Sequence, residues 1–447
     1  VEAGGPPSSD DWRGRLTLAR EGHPEGTLHN LCLIIEQAPA LAGLFWLNES
    51  SNQVRLNRNP PWASGSLDEF TDTDGCELAA WLQNPEGFGM KSGADIALSA
   101  VVTVARRHRR HPIREYLQGL KWDQIPRVEG MFGRLFGVVD NDYSRRAAQC
   151  FMVSAVARVL WSDPKQPKIG AKVDFMLVLE GAQGKKKTTA LQDLFGANWY
   201  VETLESPSGK DFYQVLQGVW AVEIAEMDSF SKADVTSVKG AITRRSDTFR
   251  APYEKAPRTW RRECIFVGTT NESEYLRDAT GGRRFLPVRV QDHAQILHAE
   301  MLQERDQLWA EAVAMFAGGF EWWQLPEAAE DEQEARYVGD SWEDRVSVWL
   351  SGRDRRDSAY PLHLALHPGP IDYTTTDALL THAVGLDAGR HGRPEQMRVA
   401  AIMKRLGFCK TRSKPDANGH RERGWERASA QPPAAPLMSS KDDDCPF

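Results

Sequence analysis

Residues Phe175 to Thr189 read FMLVLEGAQGKKKTT, an apolar run that breaks at once into a Gly/Lys/Thr loop. The run suits a buried parallel strand ending near Leu179, because strands covered on both faces carry continuous rather than alternating apolar residues. Gly181 and Gly184 let the backbone bend until several N–H groups point inward. A helix expected from Ala190 to Phe195 turns its positive N-terminus toward the same point. An anionic phosphate fits there, cradled by Gly181, Ala182, Gln183, Gly184, Lys185, Lys186, Lys187, Thr188 and Thr189. Lys187 would reach β- and γ-phosphates and the Thr188 hydroxyl would coordinate magnesium, so the ligands implied are ATP and Mg2+. The usual pattern has Gly immediately before that lysine. Here Lys186 stands in its place, where a side chain crowds the nucleotide or must take up a positive φ. The plainer alternative is a basic turn joining strand to helix.

Two further apolar strands follow. Gly218 to Met227 reads GVWAVEIAEM and Cys264 to Asn271 reads CIFVGTTN. A magnesium-dependent NTPase needs a strand-end carboxylate for the metal's water shell or the attacking water, and a polar group that senses the γ-phosphate. Glu226 is the preferred base and metal-shell residue. Glu223 is next, although alternation puts positions three apart on opposite faces of a strand. Asn271 takes the sensor role. Taken singly, these groups read equally well as a solvated strand end and a turn.

From Leu117 to Val288 the chain resembles the virulence-associated E family of phage and mobile-element proteins. The segments that carry the likeness are LQGLKWDQIPRVEGMF (117–132), AVARVL (155–160), the loop above, GVWAVEIAEM, FRAPY (249–253), FVGTTN (266–271) and YLRDATGGRRFLPV (275–288). The resemblance implies an α/β P-loop NTPase core, AAA+-like and of the superfamily 3 helicase type. It implies a ring, hexameric in expectation, whose ATP sites lie between subunits. Arg283 and Arg284 then match the place of an arginine finger offered to the neighbour's nucleotide. Lys239 and Arg250 match basic positions of an additional helicase motif, and Lys239, Arg244 and Arg245 become contacts to single-stranded DNA in the pore. Arg284 precedes an apolar Phe-Leu-Pro-Val run that would fix its base, as a finger requires. From spacing alone, a surface salt bridge explains the arginine pair as well. Lys186 is the clear departure from the family pattern, and it bears on turnover more than on fold.

The 447 residues allow two to four domains. Hydrophobic content of 41% with 26% charged residues excludes a disordered or fibrous chain. No apolar run approaches the roughly 20 residues that span a bilayer, so no membrane partner is expected and the reading is cytoplasmic, in a bacterial host. Cys32, Cys76, Cys150, Cys264, Cys409 and Cys445 form no Cys-x-x-Cys pair, which argues against a zinc site or a disulfide framework. Net charge is −7, yet Arg390 to Arg427 holds eleven Lys or Arg against four Asp or Glu. Such a basic region is the footprint of one that meets phosphates. A second basic cluster, RRHRRH at Arg106 to His111, reads as either a DNA contact or a solvated helix face.

Residues 1–11 read as disordered and 12–110 as a small α+β module. Residues 111–168 read as a helical collar and 169–345 as the ATPase core with a helical lid. Residues 346–372 read as a linker, 373–427 as a basic winged-helix-like domain and 428–447 as a disordered tail. In the module, Asp72, Asp74 and Glu77 are better taken as part of a capped amphipathic helix than as a metal cluster. In the C-terminal domain two helices precede a hairpin turning at Asn418-Gly419. That order places Arg398, Lys404 and Arg405 near a recognition helix and Lys410, Arg412, Lys414, Arg421 and Arg423 on a wing that binds duplex DNA. Protein docking is the alternative for this fold. Two functions follow from the sequence. One is an ATP-dependent DNA helicase or translocase acting in replication, with a primase or other replication proteins as partners. The other is a nucleotide-gated DNA-binding initiator or scaffold that hydrolyses ATP slowly or not at all.

Overall fold

The computed structural model describes residues 11–62, 69–203, 210–227, 232–249, 256–276, 282–337, 340–352, 370–412 and 423–427. Both terminal segments read as disordered, apart from Asp11, lie outside these residues, as do Arg250, Lys414, Arg421 and the Asn418-Gly419 turn. The chain divides into two compact units. The first comprises Val1–Ser229, Thr236–Asn271 and Arg284–Glu327, the second Phe230–Val235, Glu272–Arg283 and Ala328–Phe447.

The first unit begins with helix α1 (Leu28–Gln37), an antiparallel pair β1 (Phe45–Asn48) and β2 (Gln53–Leu56), and helices α2 (Asp72–Gln83) and α3 (Ala94–Ala105). Asp74 is buried at the start of α2, where its carboxylate accepts from the Thr71 N–H at 2.9 Å and the Thr71 hydroxyl at 2.7 Å. It caps the helix, and among the described residues no acidic cluster able to hold a metal occurs. The RRHRRH run leaves α3 and contributes a short strand β3 (Arg109–Arg110), parallel to β1. Arg109 and Arg110 pair there with Leu47 and Asn48.

Helices α4 (Pro112–Gly119), α5 (Met131–Phe136) and α6 (Asp142–Leu160) come next, followed by the sheet. Its strands are β4 (Met176–Glu180), β5 (Tyr200–Thr203), β6 (Ala221–Ile224), β9 (Ile265–Thr270) and β10 (Phe285–Arg289). They are all parallel, in the order β10-β4-β9-β6-β5. Strands β4, β6 and β9 are buried along their whole length, the reason their sequences are continuously apolar. Helix α7 (Lys187–Phe195) carries the chain from β4 to the far edge at β5, α8 (Lys210–Val215) leads to β6, and α9 (Lys232–Thr243) follows β6. A hairpin of β7 (Ser246–Phe249) and β8 (Arg258–Arg261) precedes β9. Strand β10 then joins the other side of β4, so the order reverses at β4. In open parallel sheets, ligands bind at the carboxyl ends of the strands at such a switch point. Helix α10 (His298–Ala317) buries Trp309 against Trp220 and Phe195, and both indoles find carbonyls, of Leu194 at 2.8 Å and Ala155 at 2.9 Å. Trp309 and Trp322 are core residues, and Trp323 is half exposed.

Two buried arginines tie α6, α9 and the hairpin together. Arg158 donates to four carbonyls, of Ala171, Val173, Ile242 and Arg244, at 2.8–3.1 Å. Burial, and then the Arg262 charge, lower its pKa to about 9. Arg262 makes a bidentate pair with Asp247, at 2.6 and 2.7 Å.

In the second unit, α11 (Ala329–Glu334) precedes α12 (Glu343–Ser351). Residues 346–351, read as the start of a linker, are helical: Val346, Trp349 and Leu350 belong to a core with Leu379, Leu380, Val399, Met403 and Trp425. Strand β11 (Tyr373–Thr375), the short helix α13 (Thr376–Ala378) and its continuation to Val384 come next, before α14 (Arg393–Arg405). Strands β12 (Phe408–Arg412) and β13 (Arg423–Arg427) complete an antiparallel sheet in the order β11-β13-β12.

Removing one partner of a buried ion pair leaves an uncompensated charge, so Arg262→Ala should destabilise the first unit by about 3–5 kcal/mol. Replacing both partners (Arg262→Met with Asp247→Leu) should cost less than either single change. Urea unfolding measures both, and a single-mutant loss below about 1 kcal/mol would contradict the assignment.

Candidate nucleotide site

Strand β4 ends at Glu180, whose carbonyl accepts from the Val290 N–H at 2.9 Å. The loop turns through Gly181 (φ 149°) and Gly184 (φ 85°) into α7. A side chain at Gly181 would meet Val290 at 3.2 Å, so glycine there also answers a close approach. Lys186 has φ 56° and ψ 39°, left-handed geometry immediately before the first helical residue. That conformation costs a non-glycine residue about 1–2 kcal/mol. Glu226 shares it, at φ 50°. Among the described residues only four non-glycine residues have positive φ, and two of them flank this site. Lys185 is anchored by the carbonyls of Asp292 and Ala294, both at 2.6 Å, which pins the loop to the segment after β10. The orphan N–H groups of the first turn of α7 open on the carboxyl edge of the sheet.

Lys187 is buried, and its ammonium donates to the Gly181 carbonyl at 2.6 Å, to that of Ala182 at 3.3 Å and to Asn271 Oδ1 at 3.0 Å. The sensor candidate at the end of β9 therefore meets the loop lysine directly. Thr188 donates to Glu223 Oε1 at 2.9 Å. Glu223 is fully buried and also accepts from Thr269 at 2.6 Å and from the Tyr200 hydroxyl. Burial, and then the Glu223 charge, push the Tyr200 hydroxyl far above its ordinary range, so it stays a neutral donor. Glu226 lies two residues beyond β6 and is exposed. Partial burial, then the charges of Glu223 and Glu226, raise the Glu202 carboxyl. Of the two glutamates, Glu223 is the one joined to Thr188. Sequence reading missed Tyr200 and Thr269. Thr269 lay inside the quoted strand, but Tyr200 carries no local signal, since only the pairing of β5 with β6 brings it to Glu223.

Arg284 and Arg283 sit just before β10. Phe285 pairs with Met176 and Arg289 with Glu180, so Arg284 marks the amino edge of the sheet, opposite the loop. Five residues at about 3.3 Å separate the two edges, roughly 16 Å. Among the described residues no hydrogen-bond partner meets the buried Arg284 Nε, and Arg283 is exposed.

The expected DNA contacts are dispersed. Lys239 is buried with its ammonium 5.8 Å from the Phe285 ring. Arg245 donates to Gly170 at 2.8 Å and covers Trp161, while Arg244 lies over Tyr213. In the second unit, Arg398 forks onto Asp340 at 2.7 Å over Trp342, and Arg405 packs on Tyr337 beside Glu334 and Glu343. Lys404, Lys410, Arg412 and Arg423 remain exposed.

The apo structure of the NrS-1 C terminal region (305-718) aligns with a TM-score of 0.44 and 11% identity, over 86% of this chain and 95% of that one. The A form of that region gives 0.44 and 11%, over 86% and 96%. No curated protein matches. The family model of the virulence-associated protein E-like domain matches residues 117–338, which span α5 to α10, the whole parallel sheet and every residue of the loop. Residues 117–338 of this chain are therefore a virulence-associated protein E-like domain.

Proposed function

We propose that this chain is an ATP-driven DNA helicase or translocase of a phage or mobile element, acting in replication as a ring. The observation that carries the reading is the convergence of Lys187, Thr188, Glu223 and Asn271 at the carboxyl edge of β4, β6 and β9. A helix N-terminus, a buried ammonium, a hydroxyl joined to a carboxylate and an amide are the groups that phosphoryl transfer to water requires. Magnesium fits the donor set, since it binds one or two protein oxygens together with phosphates rather than an all-protein cage. Thr188 and Glu223 would hold it, and bound there it would neutralise charge on the phosphates.

Lys187 exchanges its carbonyl partners for phosphate oxygens, and Asn271 keeps it oriented. Glu223, fixed by Thr188, Thr269 and Tyr200, would serve the metal's shell, and the exposed Glu226 would orient the attacking water. Arg284 lies too far from its own loop to act there, so it serves a neighbouring copy, which makes turnover depend on assembly. Lys186 supports the second reading, a nucleotide-gated initiator or scaffold with slow turnover, because a left-handed lysine occupies the glycine position. Strand, helices and hairpin in the second unit follow a winged-helix order, with Lys404, Lys410, Arg412 and Arg423 as its exposed cations toward duplex DNA.

Lys187→Ala should lower ATP turnover about a hundredfold or more with the melting curve little changed. Retention of a tenth of the rate would remove the loop from the mechanism. Lys186→Gly relieves the left-handed strain and clears the loop, so nucleotide affinity or turnover should rise severalfold in titration and steady-state assays. An unchanged or lower rate would mean that Lys186 itself contacts phosphate. Arg284→Ala should lower turnover of the assembled protein with nucleotide binding nearly intact, as expected for a group acting in the transition state. Mixing it with Lys187→Ala should restore part of the activity. No recovery in verified mixed assemblies would exclude a shared site.

A further inference from the structure

Helix α14 has three faces, because successive residues step by about 100° around it. Val399, Ile402 and Met403 turn into the core of the second unit, with Trp349, Leu379 and Leu380. Arg398 and Arg405, seven residues apart, share the next flank and are held by acids. Arg398 forks onto Asp340 and donates to Ser341 Oγ at 3.0 Å, while Arg405 pairs with Glu334 and, at 3.5 Å, with Glu343. Arg393, Met397, Ala400 and Lys404 form the third face, within an arc of about 60°. Arg393 and Lys404 are exposed and Ala400 is half-buried. Met397 is 65% exposed, more than any other large apolar side chain among the described residues. One exposed methionine needs no explanation by itself. The hairpin that follows α14 supplies the second observation.

Side chains alternate along strands, so Phe408, Lys410 and Arg412 share one face of β12, and Arg423, Trp425 and Arg427 share the matching face of β13. Phe408 and Trp425 are buried, so this face is the one turned toward the helices. At the far end of the ladder Arg412 stands directly opposite Arg423, with Lys410 next along, over the Trp425 ring at 5.2 Å. Like charges placed opposite each other destabilise a ladder, and an anion between them relieves the repulsion. Among the described residues Arg412 and Arg423 make no ion pair or side-chain hydrogen bond, and neither do Arg393, Lys404 or Lys410. Carboxylates near them are engaged or turned away. Glu395 bends back to 2.6 Å from where a side chain on Gly392 would begin, and Asp377 pairs with His391 at 3.1 Å. Glu426 lies on the opposite face of β13, in register with Cys409, and Asp387 is exposed before α14.

We propose that Arg393, Met397, Ala400 and Lys404 are the face of α14 that enters the major groove of duplex DNA, with Arg412 and Arg423 gripping a backbone phosphate beside it. Arg398 and Arg405, the arginines expected near the bases, hold the helix in place instead. From Arg393 to Lys404 the stripe runs roughly 16 Å at about 1.5 Å per residue, the length of about five base pairs. Its ends are cations and its middle is apolar. Cations at both ends and on the adjoining hairpin complement the phosphate rows that flank the groove. Met397 and Ala400 fit the C5-methyl of thymine, the apolar group that the major groove displays, so the middle of the recognised site carries a thymine. This face rests on the winged-helix order proposed for the second unit and needs no ATP hydrolysis.

The test selects duplexes from a randomised pool with the full chain and measures the enriched duplex by fluorescence anisotropy, without nucleotide. Replacing the central thymine by uracil removes only the C5-methyl, and should weaken wild-type binding roughly fourfold. Met397→Ala, which changes an exposed side chain, should lose most of that difference. Arg412→Glu with Arg423→Glu should weaken binding about tenfold or more and flatten the salt dependence by about 0.9 in log K against log salt per lost phosphate. Arg398→Gln should lower the melting temperature and leave the affinity of the folded chain little changed. An enriched site without a central thymine, or equal binding of thymine and uracil duplexes by the wild-type chain, would overturn the assignment. So would a greater loss of affinity in Arg398→Gln than in Met397→Ala with Lys404→Glu. Binding that depends on Arg412 and Arg423 but not on the stripe overturns this face and keeps the winged-helix order. A pool that yields no enriched duplex, or binding indifferent to helix and hairpin alike, overturns both.

Discussion

The site depends on a carboxylate that the fold buries completely. Glu223 lies in the middle of a parallel sheet, where an ionised group costs several kcal/mol unless its lone pairs are satisfied. Three hydroxyls do so, from Thr188 at the start of α7, Tyr200 on β5 and Thr269 on β9. Each comes from a different element, so satisfying one charge fixes α7, β5 and β9 relative to β6. The loop inherits that rigidity: once Thr188 is fixed, Lys187 is directed toward Asn271.

Strain gathers beside this anchor. Lys186 and Glu226 both hold a left-handed backbone that side chains adopt reluctantly. The loop tolerates it because Lys185 is tied to the Asp292 and Ala294 carbonyls and Gly181 is packed against Val290. Packing elsewhere in the unit supplies what the strained turns consume: continuous apolar strands, an indole pair at 4.2 Å between Trp220 and Trp309, and two buried arginines held by carbonyls and by Asp247.

Charge in this chain is local rather than global. A net −7 hides several basic surfaces, and tertiary contacts decide which of them stay accessible. Arg398 and Arg405, on the helix expected to read DNA, are taken up by Asp340 and Glu334 and by stacking on Trp342 and Tyr337. Arg106 and Arg109, read with equal ease as a solvated face, are exposed, and Arg109 lies beside Glu49.

Local chemistry made some of this legible in the sequence. Short continuous apolar runs that end in turn signals suit strands covered on both faces, so β4, β6 and β9 were readable, as was the Gly-rich turn with a lysine where glycine is usual. The order of loop, acids and amide along the chain pointed to the site and to the family. Strand order was not readable, because parallel strands are joined by crossovers and the sequence does not say which neighbour each will choose. That order alone brings Asn271 to Lys187, chooses Glu223 over Glu226 as the partner of Thr188, recruits Tyr200 from an edge strand and sends Arg284 to the opposite end of the sheet. Residue types and local turns follow from nearest-neighbour sterics and burial, whereas the meeting of groups tens of residues apart is decided only when the sheet assembles.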